Sequence, residues 1–121
     1  MSEEQVKKGM KVRRKVLGDA HVDRAQASVT LFTEEFQDLL TRYAWGEVWT
    51  RPGLDLKTRS CITVAMLVAL NRPEELALHI LGALNNGVTR EELKEVLLQS
   101  AVYCGIPAAN SAFKVASELL D

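Results

Sequence analysis

Residues 55–105, DLKTRSCITVAMLVALNRPEELALHILGALNNGVTREELKEVLLQSAVYCG, decide the fold. Apolar residues recur here at three- and four-residue intervals, and every interruption is helix punctuation, so the stretch reads as three consecutive helices. Asp55 is a good N-cap for the first, which runs to about residue 70. Cys61, Ile62, Val64, Ala65, Met66, Leu67, Val68, Ala69 and Leu70 leave this helix apolar on nearly every face. A helix of that kind needs cover all round, and in a chain of 121 residues full cover calls for partner subunits. Asn71 and Pro73 break the chain, and Pro73 suits the first turn of a helix over 74–86 that ends at Gly87 as a C′ glycine. Thr89 and Glu92 form a capping box opening a helix to Cys104.

Outward from this stretch, Gly105 and Pro107 separate a last helix over 108–120. On the other side, Ser2, Glu3 and Glu4 open a first helix that reads to Leu17 and ends at Gly18-Asp19. Residues 20–30 read as irregular, with at most a short helical turn. Leu31, Phe32, Phe36, Leu39, Leu40 and Tyr43 mark a helix over 31–43. Residues 44–54, AWGEVWTRPGL, hold Gly46, Pro52 and Gly53 and read as a loop, although both tryptophans, Trp45 and Trp49, lie in it. No segment shows convincing strand alternation, and there is no repeat, low-complexity run or linker. The expectation is an all-α fold of about six helices in one domain over 1–121.

Composition excludes several classes. Lys and Arg total 15 against 16 for Asp and Glu. With no basic cluster, such a chain is poor material for a phosphate backbone, so a nucleic-acid partner is not expected. No apolar run approaches the ~20 residues that span a bilayer, and residues 1–15 carry no apolar signal region. The expected location is the cytoplasm, and Cys61 and Cys104, with no CxxC, are expected to be free thiols.

Glu75 and His79 are four residues apart and share a helix face. A carboxylate beside an imidazole raises its pKa and fixes its tautomer, the usual support for a general acid or base. Spacing alone more simply describes a surface pair worth a few tenths of a kcal/mol, and His79, with Leu78, Ile80 and Leu81 as neighbours, also reads as a satisfied core residue. Trp45, Glu47, Trp49 and Arg51 form a second constellation, in which a guanidinium fork matches a carboxylate and the aromatics shape a pocket. Alternatively, the tryptophans anchor the segment to the core and Arg51 is solvated. Arg59 is a charge early in an apolar helix, paired, functional or solvent-facing. Tyr103 and Asn110 are further polar candidates, more simply structural, and His21 has no evident partner. With two histidines in the chain, a histidine-based metal site is not expected.

At this point the residues resemble a known family. YAWGEVWTRPGLDLKTRS (43–60), EELALHILGALNNGVTREELKEVLLQ (74–99) and YCGIPAANSAF (103–113), with VLGDAHVDRA (16–25), resemble the carboxymuconolactone decarboxylases over nearly the whole chain. The wider superfamily includes alkyl hydroperoxidase D proteins, whose motif CxxCxxxH precedes a glycine by eight residues. His79 and Gly87 match that spacing, but the two motif cysteines fall on Arg72 and Glu75, and the relay glutamate falls near Arg59-Ser60. Disulfide chemistry needs a nucleophilic thiolate and a resolving partner, so a thiol-dependent peroxidase is the weaker alternative, alongside a non-catalytic helical oligomer. The resemblance implies an alkyl hydroperoxidase D-like helical fold and a homohexamer built as a trimer of dimers. It implies cofactor-free decarboxylation of 4-carboxymuconolactone, a lactone carrying two carboxylates, to the enol-lactone of 3-oxoadipate in protocatechuate breakdown. It favours His79, with Glu75 or Glu47, as the acid/base, and Arg51, Arg59, Trp45, Trp49 and Tyr103 as substrate-binding residues, with no metal.

Overall fold

Glycine at position 9 and glycine at position 46 let two helix backbones touch in the first half of the chain. The computed structural model describes residues 2–121, the side chain of Ser2 excepted, so the helix-opening role read for Ser2 lies outside the described residues. The described elements are α1 (Ser2–Leu17), α2 (Asp19–Ala27), α3 (Glu34–Leu40) running into a π-helical segment (Thr41–Val48), α4 (Leu56–Ala69), α5 (Pro73–Asn85), α6 (Arg90–Cys104) and α7 (Ile106–Leu120). Among the described residues there are seven α-helices and no strand. By their internal packing, Met1–Asp55 and Leu56–Asp121 form two compact units.

In the first unit, α1 packs along the π-helical segment. A Cβ on Gly9 would collide with the Thr41 carbonyl oxygen and sit 2.7 Å from the Gly46 nitrogen, and a Cβ on Gly46 would strike the Gln5 carbonyl. This overturns the reading of residues 44–48 as loop. Gly46 is a packing glycine inside a helix, not a chain breaker. The helix closes where Trp49 N–H donates to the Ala44 carbonyl (2.9 Å) and the Thr50 hydroxyl donates to the Gly46 carbonyl (2.7 Å). Residues 19–27, all but the first within the stretch read as irregular, form α2, with Val22 fully buried, which accounts for a seventh helix where about six are expected. Gly18 at φ +89° makes the corner before it. Leu31 and Phe32 lie outside α3, in a turn where Thr30 N–H donates to Thr33 Oγ1 (2.9 Å), so the helix starts three residues later than its apolar pattern predicts.

The second unit follows its punctuation closely. Asp55 precedes α4, Pro73 sits in the first turn of α5, and Gly87 at φ +88° follows its end. The capping box is complete: Glu92 N–H donates to Thr89 Oγ1 (3.0 Å) and Thr89 N–H donates to Glu92 Oε1 (2.9 Å). Lys57 Nζ lies 2.9 Å from Glu92 Oε2, tying the start of α4 to that of α6. The Thr89 amide, then Lys57, hold the Glu92 carboxyl below its ordinary value. The last helix begins at Ile106, two residues earlier than read, because Pro107 fits a helix's first turn. The core joins Val64, Val68, Leu76, Ile80, Ala83, Val88, Leu93, Leu97, Ala112 and Ala116. Each large aliphatic among them contributes roughly 1.5–3 kcal/mol by leaving water. Helix α4 buries Ser60, Val64 and Val68 but leaves Ile62 and Met66 exposed, as is Leu70 just past its end. No helix of the described residues is long and apolar enough to cross a membrane.

Gly46→Ala is expected to lose about 1–3 kcal/mol in chemical denaturation, because the new methyl meets backbone that cannot turn aside. Thr89→Ala is expected to lose about 1 kcal/mol. With its pKa depressed, Glu92 adds stability that is full above the unfolded value of about 4.5 and lost as pH falls through the folded value. Glu92→Gln, which removes the titrating carboxyl, should therefore shrink that acid-side loss, measured as melting temperature against pH.

Candidate functional site

The first constellation lies wholly in the first unit. Trp45 is buried on the π-helical segment, and Trp49, half-buried one turn on, stacks on it with ring centroids 4.8 Å apart and planes 25° from parallel. Such offset stacking adds about 0.5–1.5 kcal/mol beyond the area buried. Two stacked indoles at the helix end fix the direction in which the chain leaves it. Arg51 N–H donates to the Val48 carbonyl (3.1 Å), which turns the chain so that Arg51 and Glu47 are both exposed. Trp45 thus anchors this segment, as the structural alternative for the tryptophans requires, while Glu47 and Arg51 keep their charges at the surface.

The second constellation lies in the second unit. Leu76, Ile80 and Ala83 form the buried stripe of α5, and His79 flanks it, half-buried with Nδ1 out of contact with water. Glu75, one turn earlier, is exposed in the first turn of the helix. The pair therefore bridges from solvent into the flank of the core. Arg59 is half-buried in the early part of α4, where its carbonyl accepts from the Thr63 hydroxyl (2.8 Å). Arg72, at the N-cap of α5, and Glu75 occupy the positions where the superfamily's redox cysteines would fall.

Tyr103 stands apart from α5. It is 82% exposed on α6 and lines a groove of about 470 Å³ between α4 and α6 with Cys61, Ile62, Ala65, Glu95, Val96, Gln99, Ser100 and Cys104. Both cysteines are free and half-buried there. His79 is not among the lining residues of this groove, and its acidic and apolar character does not suit a dianion. Asn110 is exposed on α7. Among the described residues no cluster of three or more His, Cys, Asp or Glu is placed to hold a metal ion.

Sequence reasoning missed one charged residue of the first unit. Arg13, on α1, is only 5% exposed. Its Nη1 donates to Thr41 Oγ1 (3.3 Å), and the Thr41 hydroxyl in turn donates to the Gln37 carbonyl (2.8 Å). Burial, then the neighbouring Arg14, push the Arg13 guanidinium below its ordinary value. Arg14 is matched by Asp19 (3.0 Å) and Asp23 (2.8 Å), whereas Arg13 pairs with no carboxylate among the described residues. His21 is held below its usual value by burial, then by Arg13 and Arg24. The missed signal was periodic: Gly9, Arg13 and Val16 are spaced four and three apart, which puts the arginine on the face that Gly9 and Val16 bury.

Comparisons with known proteins bear on what this arrangement does. The profile of the Carboxymuconolactone decarboxylase family matches residues 34–118. A 4-carboxymuconolactone decarboxylase of Acinetobacter baylyi is 47% identical over 117 residues, 97% of this chain and 87% of that protein. A nitrosuccinic acid decarboxylase, npaB, of Metarhizium robertsii is 45% identical over 113 residues, 93% of this chain and 79% of that protein. A 4-carboxymuconolactone decarboxylase of Pseudomonas putida is 56% identical over 39 residues, 32% of this chain and 81% of that sequence.

The burial difference within the indole pair is measurable. Trp45→Ala should destabilise the chain by about 3–5 kcal/mol, as for other buried tryptophans. Trp49→Ala, at a half-buried position, should have a smaller effect in the same denaturant titration. Equal losses would place the anchor in the stack itself rather than in Trp45.

Proposed function

The chain belongs to the carboxymuconolactone decarboxylase family and is a decarboxylase, and from that premise we propose that its substrate is 4-carboxymuconolactone, converted to 3-oxoadipate enol-lactone without a cofactor. The observation that carries this reading is the likeness to the Acinetobacter enzyme over 97% of the chain. The family match runs through residues of both compact units, which supports treating residues 1–121 as one functional domain.

Loss of CO2 breaks a carbon–carbon bond and leaves its electron pair on the substrate. In the lactone that pair moves through the ring double bond to the carbonyl oxygen, and a proton then adds at carbon. The substrate thus carries its own electron sink. The protein has to hold a dianion, keep water from the departing carboxylate and place a proton donor. His79 takes the proton-donor role in this proposal, oriented by Glu75 or Glu47. Support comes from its flank position on α5, with one ring nitrogen buried and a carboxylate one turn away. Arg51 and Arg59 take the carboxylate that stays, because a guanidinium fork matches it. Trp45 and Trp49 exclude water. Tyr103 has the least support, since its groove is mostly apolar.

The second relative favours a second substrate. In nitrosuccinic acid the nitro group accepts the electron pair just as the lactone carbonyl does, and a second carboxylate is likewise retained. One chain could therefore accept both acids, and the ratio of their kcat/KM values measures which it is built for. The proposal also includes a cytoplasmic homo-oligomer, a hexamer in the notation of three dimers. Leu31 and Phe32 are 89% and 94% exposed in the first unit, and in the second Ile62 and Met66 are exposed on α4 and Leu70 just past its end. Apolar surface of this extent is what subunit contacts cover.

Direct measurement of CO2 release from 4-carboxymuconolactone and from nitrosuccinic acid tests the reading, and release from neither would overturn it. His79→Ala is expected to lower kcat by roughly 10²–10⁴-fold with the melting temperature little changed. Arg51→Ala is expected to raise KM with kcat nearly constant, and an unchanged KM would remove it from binding. Sedimentation should show an assembly, and a stable monomer would contradict the oligomer.

A further inference from the structure

The first unit holds a charge that its own stability does not explain. Arg13 is 5% exposed, its Nε is buried with no hydrogen-bond partner, and its single side-chain contact of that kind is the neutral hydroxyl of Thr41. Arg14, beside it in sequence, is of the same sign and already matched by two aspartates. Taking a guanidinium out of water without a counter-charge opposes folding, and a hydrophobic residue of similar length at such a site is commonly neutral or stabilising.

The location of the charge is specific. Gly9 and Arg13 share a face of α1, and Gly9 lies against Thr41 and Gly46 of the π-helical segment. Thr41 and Trp45 are buried four residues apart on that segment. Arg13 therefore bonds the first residue of the segment whose far end carries the Trp45–Trp49 stack and leads to Arg51. Unmatched charge kept at the expense of stability is a mark of function, and a buried charge is screened by salt far less than an exposed one.

We infer that Arg13 is a positioning residue for the substrate's negative charge: a fixed, unmatched guanidinium inside the first unit that favours binding of a dicarboxylate without touching it. This rests on the decarboxylase reading for its choice of ligand. It differs from the role of Arg51, which is exposed and would meet a carboxylate directly.

The test uses Arg13→Met and Arg13→Lys in the full chain, with succinate as a dicarboxylate probe whose binding is read as a rise in melting temperature. Arg13→Met should melt at or above the parent. It should raise KM about tenfold with kcat held within about twofold, and lose most of the succinate shift. The KM change should persist in roughly 0.5 M NaCl, where that of Arg51→Ala shrinks. Arg13→Lys, which keeps the charge, should hold KM near the parent value. An unchanged KM and succinate shift in Arg13→Met would overturn the inference. So would an Arg13→Met chain that fails to fold, because that outcome makes the arginine a structural clamp. Thr41→Val checks the same point from the other side: it removes the hydrogen bond and keeps the charge, and should leave KM unchanged. If the parent releases CO2 from neither acid, the decarboxylase reading fails. A succinate shift present in the parent and lost in Arg13→Met would still uphold Arg13.

Discussion

Two helices can meet backbone to backbone only where neither carries a Cβ, and the first unit is organised around such a meeting. Gly9 of α1 and Gly46 of the π-helical segment close that distance. Once the backbones touch, Thr41, Trp45 and Gly46 must all face α1, because they are the buried residues of the segment. A π-helical run of eight residues is unusual, since its turns are wide and its hydrogen bonds poorly aligned. Here the α1 contact supplies cover for it, and the Thr50 hydroxyl satisfies the Gly46 carbonyl near its end. The indole stack, the turn at Val48 and Arg51, and the burial of Arg13 all follow from that crossing. A helix ending at Tyr43, with a loop from Ala44, would have none of them.

The second unit depends on more ordinary means. Its helices start and stop at residues whose chemistry is local: a proline in the first turn of α5, a complete capping box at α6, glycines at positive φ after α5 and α6. Local signals of this kind are independent of tertiary packing, and they were read correctly to within two residues. The same holds for the Glu75–His79 spacing, which is a property of one helix. What the sequence did not disclose is how deep each member lies. The core face of α5 is set by Leu76, Ile80 and Ala83, and only their packing shows that His79 flanks it while Glu75 stays in water.

The errors have a common physical cause. Gly46 was read by its propensity and placed by a neighbour forty residues away in sequence. Residues 19–27 have weak helical periodicity, yet they form α2 because burial of Val22 and a corner at Gly18 outweigh it. Arg13 is one of several basic residues on α1, and its burial depends on the packing of that helix against the π-helical segment. In each case a long-range contact overrode a local preference. The tryptophan-bearing segment drew attention for its composition, and its aromatics are indeed structural and functional candidates together, since one buried indole can both anchor a turn and border a site.

Charge placement separates the two roles that arginine plays here. An exposed guanidinium such as Arg51 interacts with a passing anion through water, over a range set by the Debye length of about 8 Å at physiological salt. It therefore helps most at contact. A buried guanidinium such as Arg13 acts through a medium of lower effective dielectric, so its field reaches farther and depends less on the solution. It has no freedom to reorganise as the reaction proceeds. A substrate that arrives as a dianion gains from a fixed field, because no energy is then spent reorienting that field on binding. A protein whose substrate supplies the electron sink has little other chemistry to perform. Under that constraint, a fold can give up some stability to hold an unmatched positive charge rigidly, and the crossing at Gly9 and Gly46 is what makes the surrounding backbone rigid enough to hold it.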